Sequence, residues 1–144
     1  RKKMEYFDAE ILGQEYCLDD TAYIEQRILD FKEKGAGLII VTGGMSVDPD
    51  DLTPGAIRNT GATVVTYGVP VQPGNMFMMA YLNEVAILGV PGAASYFKTT
   101  VLDVVLPRIF IGEVLTKNDF IAMGEGGLCS HCQMCQYPNC YYGR

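Results

Sequence analysis

Apolar residues recur along this chain in short runs that switch between two spacings. Tyr23, Ile24, Arg27, Ile28 and Phe31 fall at helical spacing behind Asp19-Asp20-Thr21, which offers an N-cap, and Lys34-Gly35 closes the segment. Ala36 to Val41 is short, continuously apolar and rich in β-branched residues, as expected for a strand covered on both faces. Ahead of the helix, Glu10 to Tyr16 reads as another strand, so strand, helix and strand predict a right-handed βαβ unit. The first residues favour helix and carry no cap before Arg1, so the chain is expected to begin inside an element.

The alternation continues. Thr53-Pro54 starts a short helix to about Asn59, and Gly61 leads into a strand from Thr63 to Tyr67. Phe77 to Leu82 and Val85 to Val90, separated only by Asn83-Glu84, predict a tight hairpin that makes one edge of the sheet antiparallel. Pro91-Gly92 then turns into a long helix from Ala93 to Arg108, with Phe97, Val101, Val104, Val105 and Ile109 inward and Pro107 bending or ending it. Beyond Gly112 the period weakens. The expectation is an α/β domain over 1–112 and a tail over 113–144 that needs an external staple to hold a shape.

A length of 144 residues allows one core and a short appendage. The net charge of −6, with only 11 Lys and Arg, argues against a surface that neutralises nucleic-acid phosphates. No apolar stretch reaches the ~20 residues that span a bilayer and no signal-peptide pattern opens the chain, so a cytoplasmic location is expected. Of five cysteines, four crowd between Cys129 and Cys140, which suits a reduced compartment and a metal. Cys17 is expected to be a buried structural thiol.

Three glycine-bearing loops should lie near the carboxyl ends of the strands, where open α/β sheets collect ligands: Thr42-Gly43-Gly44, Pro73-Gly74-Asn75 and Gly89-Val90-Pro91-Gly92. Glycine lets main-chain N–H groups approach an anion and hold phosphate without lysine, although each loop taken alone is also an ordinary turn. In VDPDDLTP, Asp51 or Thr53 could simply cap the helix at Pro54. Alternatively, Asp48, Asp50 or Asp51 together with Asp19 forms an acidic corner that positions Mg²⁺ against a phosphate or molybdate oxyanion. Neither a P-loop nor a dinucleotide fingerprint is present. The single histidine, His131, lies in the cysteine run, which removes a Ser-His-Asp or Cys-His triad from the core.

TGGMSVDPDDLTP, followed by VPVQPGN and LGVPGAAS, resembles the molybdopterin-binding domain shared by molybdopterin adenylyltransferases and molybdenum insertases. The likeness runs from about Glu10 to Gly112. It implies a three-layer α/β/α fold with a mostly parallel sheet, in which Gly43, Gly44 and Ser46 border the pterin phosphate. Asp51 matches the aspartate of the family's D-[VL]-T-P motif and Asp19 the first of its D-D or D-E pair, carboxylates implicated in Mg²⁺, adenylyl or molybdate handling. Pro73, Gly74 and Asn75 match the P-G-[KN] loop, and Pro91 and Gly92 the L-P-G turn. Two features depart from the family pattern. A further strand ending in a T-G-[DES]-E loop does not precede Arg1, as though this were the C-terminal part of a longer protein. Asn75-Met76 stands where insertases have Lys-Pro, which removes a lysine from the chemical step.

Cys129-x2-Cys132-x2-Cys135-x4-Cys140 resembles, in its first three members, the ligand loop of a cubane iron–sulfur site, while four thiolates could equally wrap one tetrahedral Zn²⁺. Zinc sites more often split into two knuckles with a longer spacer. His131 is an alternative ligand or an exposed bystander.

The leading expectation is a molybdopterin binder acting in adenylyl transfer or molybdate insertion, with ATP or AMP and molybdate as further substrates. The rival is a carrier or sensor whose cysteine cluster serves redox or docking. An unrelated α/β domain with coincidental glycine turns ranks last. Self-association, or packing on a preceding part of a longer chain, is also expected from the resemblance.

Overall fold

The computed structural model describes residues 2–144. After a short helix α1 (Lys2–Glu5) the elements run α2 (Thr21–Glu33), β1 (Leu38–Thr42), α3 (Thr53–Asn59), β2 (Thr63–Tyr67), β3 (Met78–Leu82), β4 (Val85–Val90), α4 (Val101–Phe110) and α5 (Lys117–Ala122). The four strands form one sheet in the order β1-β4-β3-β2. β1 pairs with β4 in parallel, whereas β3 is antiparallel to both β4 and β2, so only β3 is reversed. The class is α/β as expected, and the hairpin forms across Asn83, which takes the left-handed φ of 56° that asparagine tolerates. Its two strands fill the centre of the sheet, and the antiparallel pairing reaches the β2 edge.

Side chains alternate between two cores, which is why the strands read as continuous apolar runs. Ile39, Met78, Ala80 and Ile87 meet Ile24, Ile28, Ala56 and Ile57 of α2 and α3 on one face. On the other, Met79, Leu88 and Val90 meet Val101, Leu102, Val105 and Leu106 of α4. Leu115, Phe120, Met123 and Tyr142, all past Gly112, belong to this second cluster. Helices on both faces give the three layers.

Three expectations need correction. Glu10 to Tyr16 forms no strand, and every residue from Glu10 to Asp20 is exposed. The run pairs with no neighbour, and with Gly13, Gln14 and Glu15 at its centre it lacks an apolar face to bury. The helix expected from Ala93 to Arg108 is broken: Gly92–Ser95 is one 3₁₀ turn, and α4 starts afresh at Val101. Thr100 and Asp103 form a reciprocal capping box there, with the Asp103 carboxylate accepting from the Thr100 N–H at 2.8 Å. Phe97 is consequently exposed rather than inward, and Val104 and Ile109 are only partly buried. Cys17 lies in the exposed 10–20 segment and is no core thiol. Asp20 caps α2 as expected, accepting from the Tyr23 N–H at 2.7 Å.

α4 and α5 are tied by Arg108, which donates to Glu113 and, at 2.6 Å, to Asp119. The Thr116 hydroxyl first, and Arg108 second, hold the Asp119 carboxyl well below the usual carboxylate range. A carboxylate depressed in this way adds stability above its unfolded value of 3.8 and loses it as pH falls through the folded value. The urea midpoint of the native chain should therefore exceed that of Asp119→Ala at pH 7, and the gap should narrow on acidification below about pH 4. An unchanged gap would exclude the bonds of this carboxylate to Thr116 and Arg108 as a source of stability.

Candidate functional site

Strand register places all three glycine loops at one end of the sheet. Thr42 is paired with Val90, so Gly43 and Pro91 leave adjacent strands side by side, and the Gly43 N–H donates to the Val90 carbonyl at 3.3 Å. Met78, where β3 begins, is opposite Gly89 and Tyr67, so the Pro73-Gly74-Asn75 loop enters the sheet at that same end. This is the carboxyl end of β1, β4 and β2.

The first loop is fixed at its base and open at its tip. Gly43 and Gly44 take left-handed φ values of +89° and +57°, which non-glycine residues adopt only at a cost. The buried Thr53 closes the turn, its hydroxyl donating to the Gly43 carbonyl at 2.9 Å and its N–H to that of Gly44 at 3.2 Å. Met45 is buried, whereas Ser46, Val47 and Asp48 are exposed. The Tyr67 hydroxyl donates to the Ser46 carbonyl at 2.9 Å, and Arg58 lies over the Tyr67 ring. Burial raises the Tyr67 phenol above its ordinary value; Arg58 opposes the rise and the nearby Asp51 adds to it. The amides of Gly44, Met45, Ser46 and Val47 donate to no described residue.

The carboxylates are less organised. Asp51 Oδ2 accepts from the Asp48 N–H at 3.2 Å, an internal turn bond, and neither Asp51 nor Thr53 caps α3 by its side chain, since the cap is Leu52. Asp19 is exposed in the segment before α2. Among the described residues no three His, Cys, Asp or Glu gather closely enough to share an ion, so the structure does not assemble Asp19, Asp48, Asp50 and Asp51 into an acidic corner.

The second and third loops are walls shared with the tail. Pro73 and Gly74 are buried and Asn75 exposed. Gly74 has φ +107°, and a β-carbon there would stand 3.2 Å from Val101 Cγ1. The tail is stitched to this loop: Gln72 bridges to Leu128, the Cys129 N–H donates to the Gln72 carbonyl at 2.8 Å, and the buried Tyr142 hydroxyl donates to the Pro73 carbonyl at 3.0 Å. Pro91 is half-buried and Gly92 exposed, and the chain that follows them, Tyr96 to Thr99, lines a cavity of about 400 Å³ together with Cys129, Cys132, Cys135 and Cys140. Cys135 Sγ is 3.3 Å from the Thr99 hydroxyl, which lowers that thiol from its ordinary value. Sequence reasoning missed Thr99, Tyr67 and Tyr142; the only local signal was the T-x-x-D capping box, which marks Thr100 as a helix boundary and leaves Thr99 outside it.

Gly44→Ala should destabilise the chain by about 1–2 kcal/mol, the cost of a left-handed non-glycine residue, because its β-carbon would also meet Thr53 Oγ1 at 2.9 Å. Gly43→Ala meets no such neighbour and should cost less, so equal urea midpoints for the two variants would refute the packing argument. Tyr142→Phe should lower stability by ~1 kcal/mol by leaving the Pro73 carbonyl without its partner, and an unaltered midpoint would mean that the bond contributes nothing.

Residues 1–110 match a family profile described as a probable molybdopterin binding domain. A comparison with curated proteins finds no match. No helix among the described residues is long and apolar enough to cross a membrane. With the match extending over more than half of the chain and the three motif loops meeting at one sheet end, the protein belongs to the molybdopterin-binding domain family of molybdenum-cofactor biosynthesis.

Proposed function

We propose that molybdopterin binds at the carboxyl end of the sheet, its phosphate received by the main-chain amides of Gly44 to Val47. The observation that carries this reading is that run of four amides, left without acceptors beside two left-handed glycines. Amides so placed favour an anion by partial charge alone, which suits a chain of net charge −6. Thr42, Gly43 and Asp48 frame this loop, while Pro73, Gly74, Asn75, Pro91 and Gly92 wall the pterin.

The chemistry we assign is adenylyl transfer from ATP to the terminal phosphate of molybdopterin, or molybdate insertion with loss of AMP. Both develop charge on an oxyanion, which preorganised amides stabilise. Asp51, at the base of the loop, and Asp19 would hold Mg²⁺ through one or two carboxylates, with phosphate oxygens and water completing the shell. That is how this ion is usually bound, so a preformed three-carboxylate cage is not required. Bound there, Mg²⁺ would neutralise phosphate charge.

A second reading, a carrier that holds the cofactor without turning it over, is favoured by Asn75, an exposed amide where the insertase motif has a cation.

Calorimetry with molybdopterin and Mg²⁺ tests the binding. The native chain should bind, and Gly44→Val should bind at least tenfold more weakly, a loss of ~1.4 kcal/mol, while keeping its circular dichroism. No binding by the native chain would end the proposal. If molybdopterin binds but is neither adenylylated nor, once adenylylated, consumed, the carrier reading replaces the enzymatic one.

A further inference from the structure

Cys129, Cys132, Cys135 and Cys140 all line one cavity of about 400 Å³, although they come from a segment without helix or strand. Their arrangement is set by contacts outside the tail. The main chain of Cys129 is bound to that of Gln72, Cys135 faces Thr99, and Tyr137, between the last two cysteines, donates its hydroxyl to the Asp103 carbonyl at 3.0 Å. Phe97 stacks obliquely on His131 at the cavity wall, with ring centroids 5.3 Å apart.

Two observations favour a cluster over a single ion. A zinc ion holds each thiolate about 2.3 Å away, which draws four sulfurs into one tight tetrahedron. Among the described residues no three such side chains approach closely enough to share an ion, so the four thiols are not drawn into that tetrahedron. The cavity they line is also large. At about 400 Å³ it has room for a group larger than one ion, being more than ten times the ~30 Å³ share of one water. Four cysteine thiolates hold a cubane core one to each iron, further apart than around a single ion. The C-x2-C-x2-C spacing matches the three-ligand loop of such sites. In two-cluster ferredoxins the fourth cysteine of the run serves a different cluster, but here Cys140 lines the same cavity as the other three.

We propose that Cys129, Cys132, Cys135 and Cys140 ligate one cubane iron–sulfur cluster, one thiolate to each iron, each thiol giving up its proton on ligation. Tyr137 and the buried Tyr142 supply apolar lining beside it, and the site stands whether or not a pterin binds at the sheet end. The full chain, purified without oxygen and incubated with ferric iron, sulfide and a thiol reductant, should retain iron and acid-labile sulfide in equal amounts. Its broad visible absorption should bleach on reduction with dithionite. Cys132 and Cys135 are exposed, so Cys132→Ser and Cys135→Ser should fold, as circular dichroism will show, yet lose most of that absorption, whereas Cys17→Ser should keep it. Retention of one zinc without sulfide overturns the proposal, and so do four thiols that stay free after incubation or tail variants that keep full absorption.

Discussion

Met45 occupies space that exists only because residue 89 has no side chain. A β-carbon on Gly89 would stand 2.6 Å from both Sδ and Cε of Met45 and 3.1 Å from Cβ of Met78. Through that gap an otherwise exposed loop drops one side chain onto the sheet, where it joins Ile24, Ile28, Ala56 and Ile57 in the core. Full burial of such a side chain stabilises by roughly 1.5–3 kcal/mol, whereas ordering the backbone costs about 1–2 kcal/mol per residue. Met45 alone cannot hold the loop. The two Thr53 bonds at its base and the Tyr67 bond to Ser46 supply the remainder, and between these anchors the amides of Gly44 to Val47 stay free of partners. A loop fixed at its base with unsatisfied donors at its tip is the arrangement an anion site requires.

The opposite face of the sheet depends on residues beyond the motif loops. α4 covers Leu88 and Val90, yet its start is set by Thr100 and Asp103, and its end is tied through Arg108 to Glu113 and to α5. Phe7 stacks on Phe110, and Lys3 pairs with Asp103, so the first residues also pack on this helix. Most of these ion pairs are partly exposed, and pairs of that kind add little on their own. The buried contacts of Phe120, Leu115 and Tyr142 carry the packing on this side.

What the sequence disclosed follows from which forces are local. β2, β3 and β4 were legible because their apolar runs end at Gly, Asn or Pro, and the side-chain period needs no distant information. The motif loops were legible for the same reason: their glycines and prolines mark turns, and strand order then brings the turns together. Glu10 to Tyr16 misled because a strand is defined by its neighbour, and Ile11 and Leu12 look apolar whether or not a partner strand is present. The break before α4 was written in Thr100 and Asp103 but masked by Phe97, whose apolar character fits the helical period while its side chain stays outside the core. Cys17 misled in the same way, since a small apolar thiol reads as buried wherever it stands. The tail was illegible for a different reason: its shape comes from long-range bonds to Gln72, Pro73 and Asp103, and no window of residues 113–144 contains those partners.

Those same bonds tie the tail to the Pro73-Gly74-Asn75 loop at the end of the sheet. Its position is set on one side by Gly74 lying against Val101 at the start of α4, and on the other by Tyr142 and Cys129 from the tail. Pro73 and Gly74 are buried, so neither side can shift without uncovering apolar surface or leaving a carbonyl unpaired. Order in the tail and the shape of one wall of the candidate pterin site therefore share a cause. A side chain at position 74 would disturb both together, since it would be strained by the left-handed φ and would push on Val101 Cγ1 from 3.2 Å.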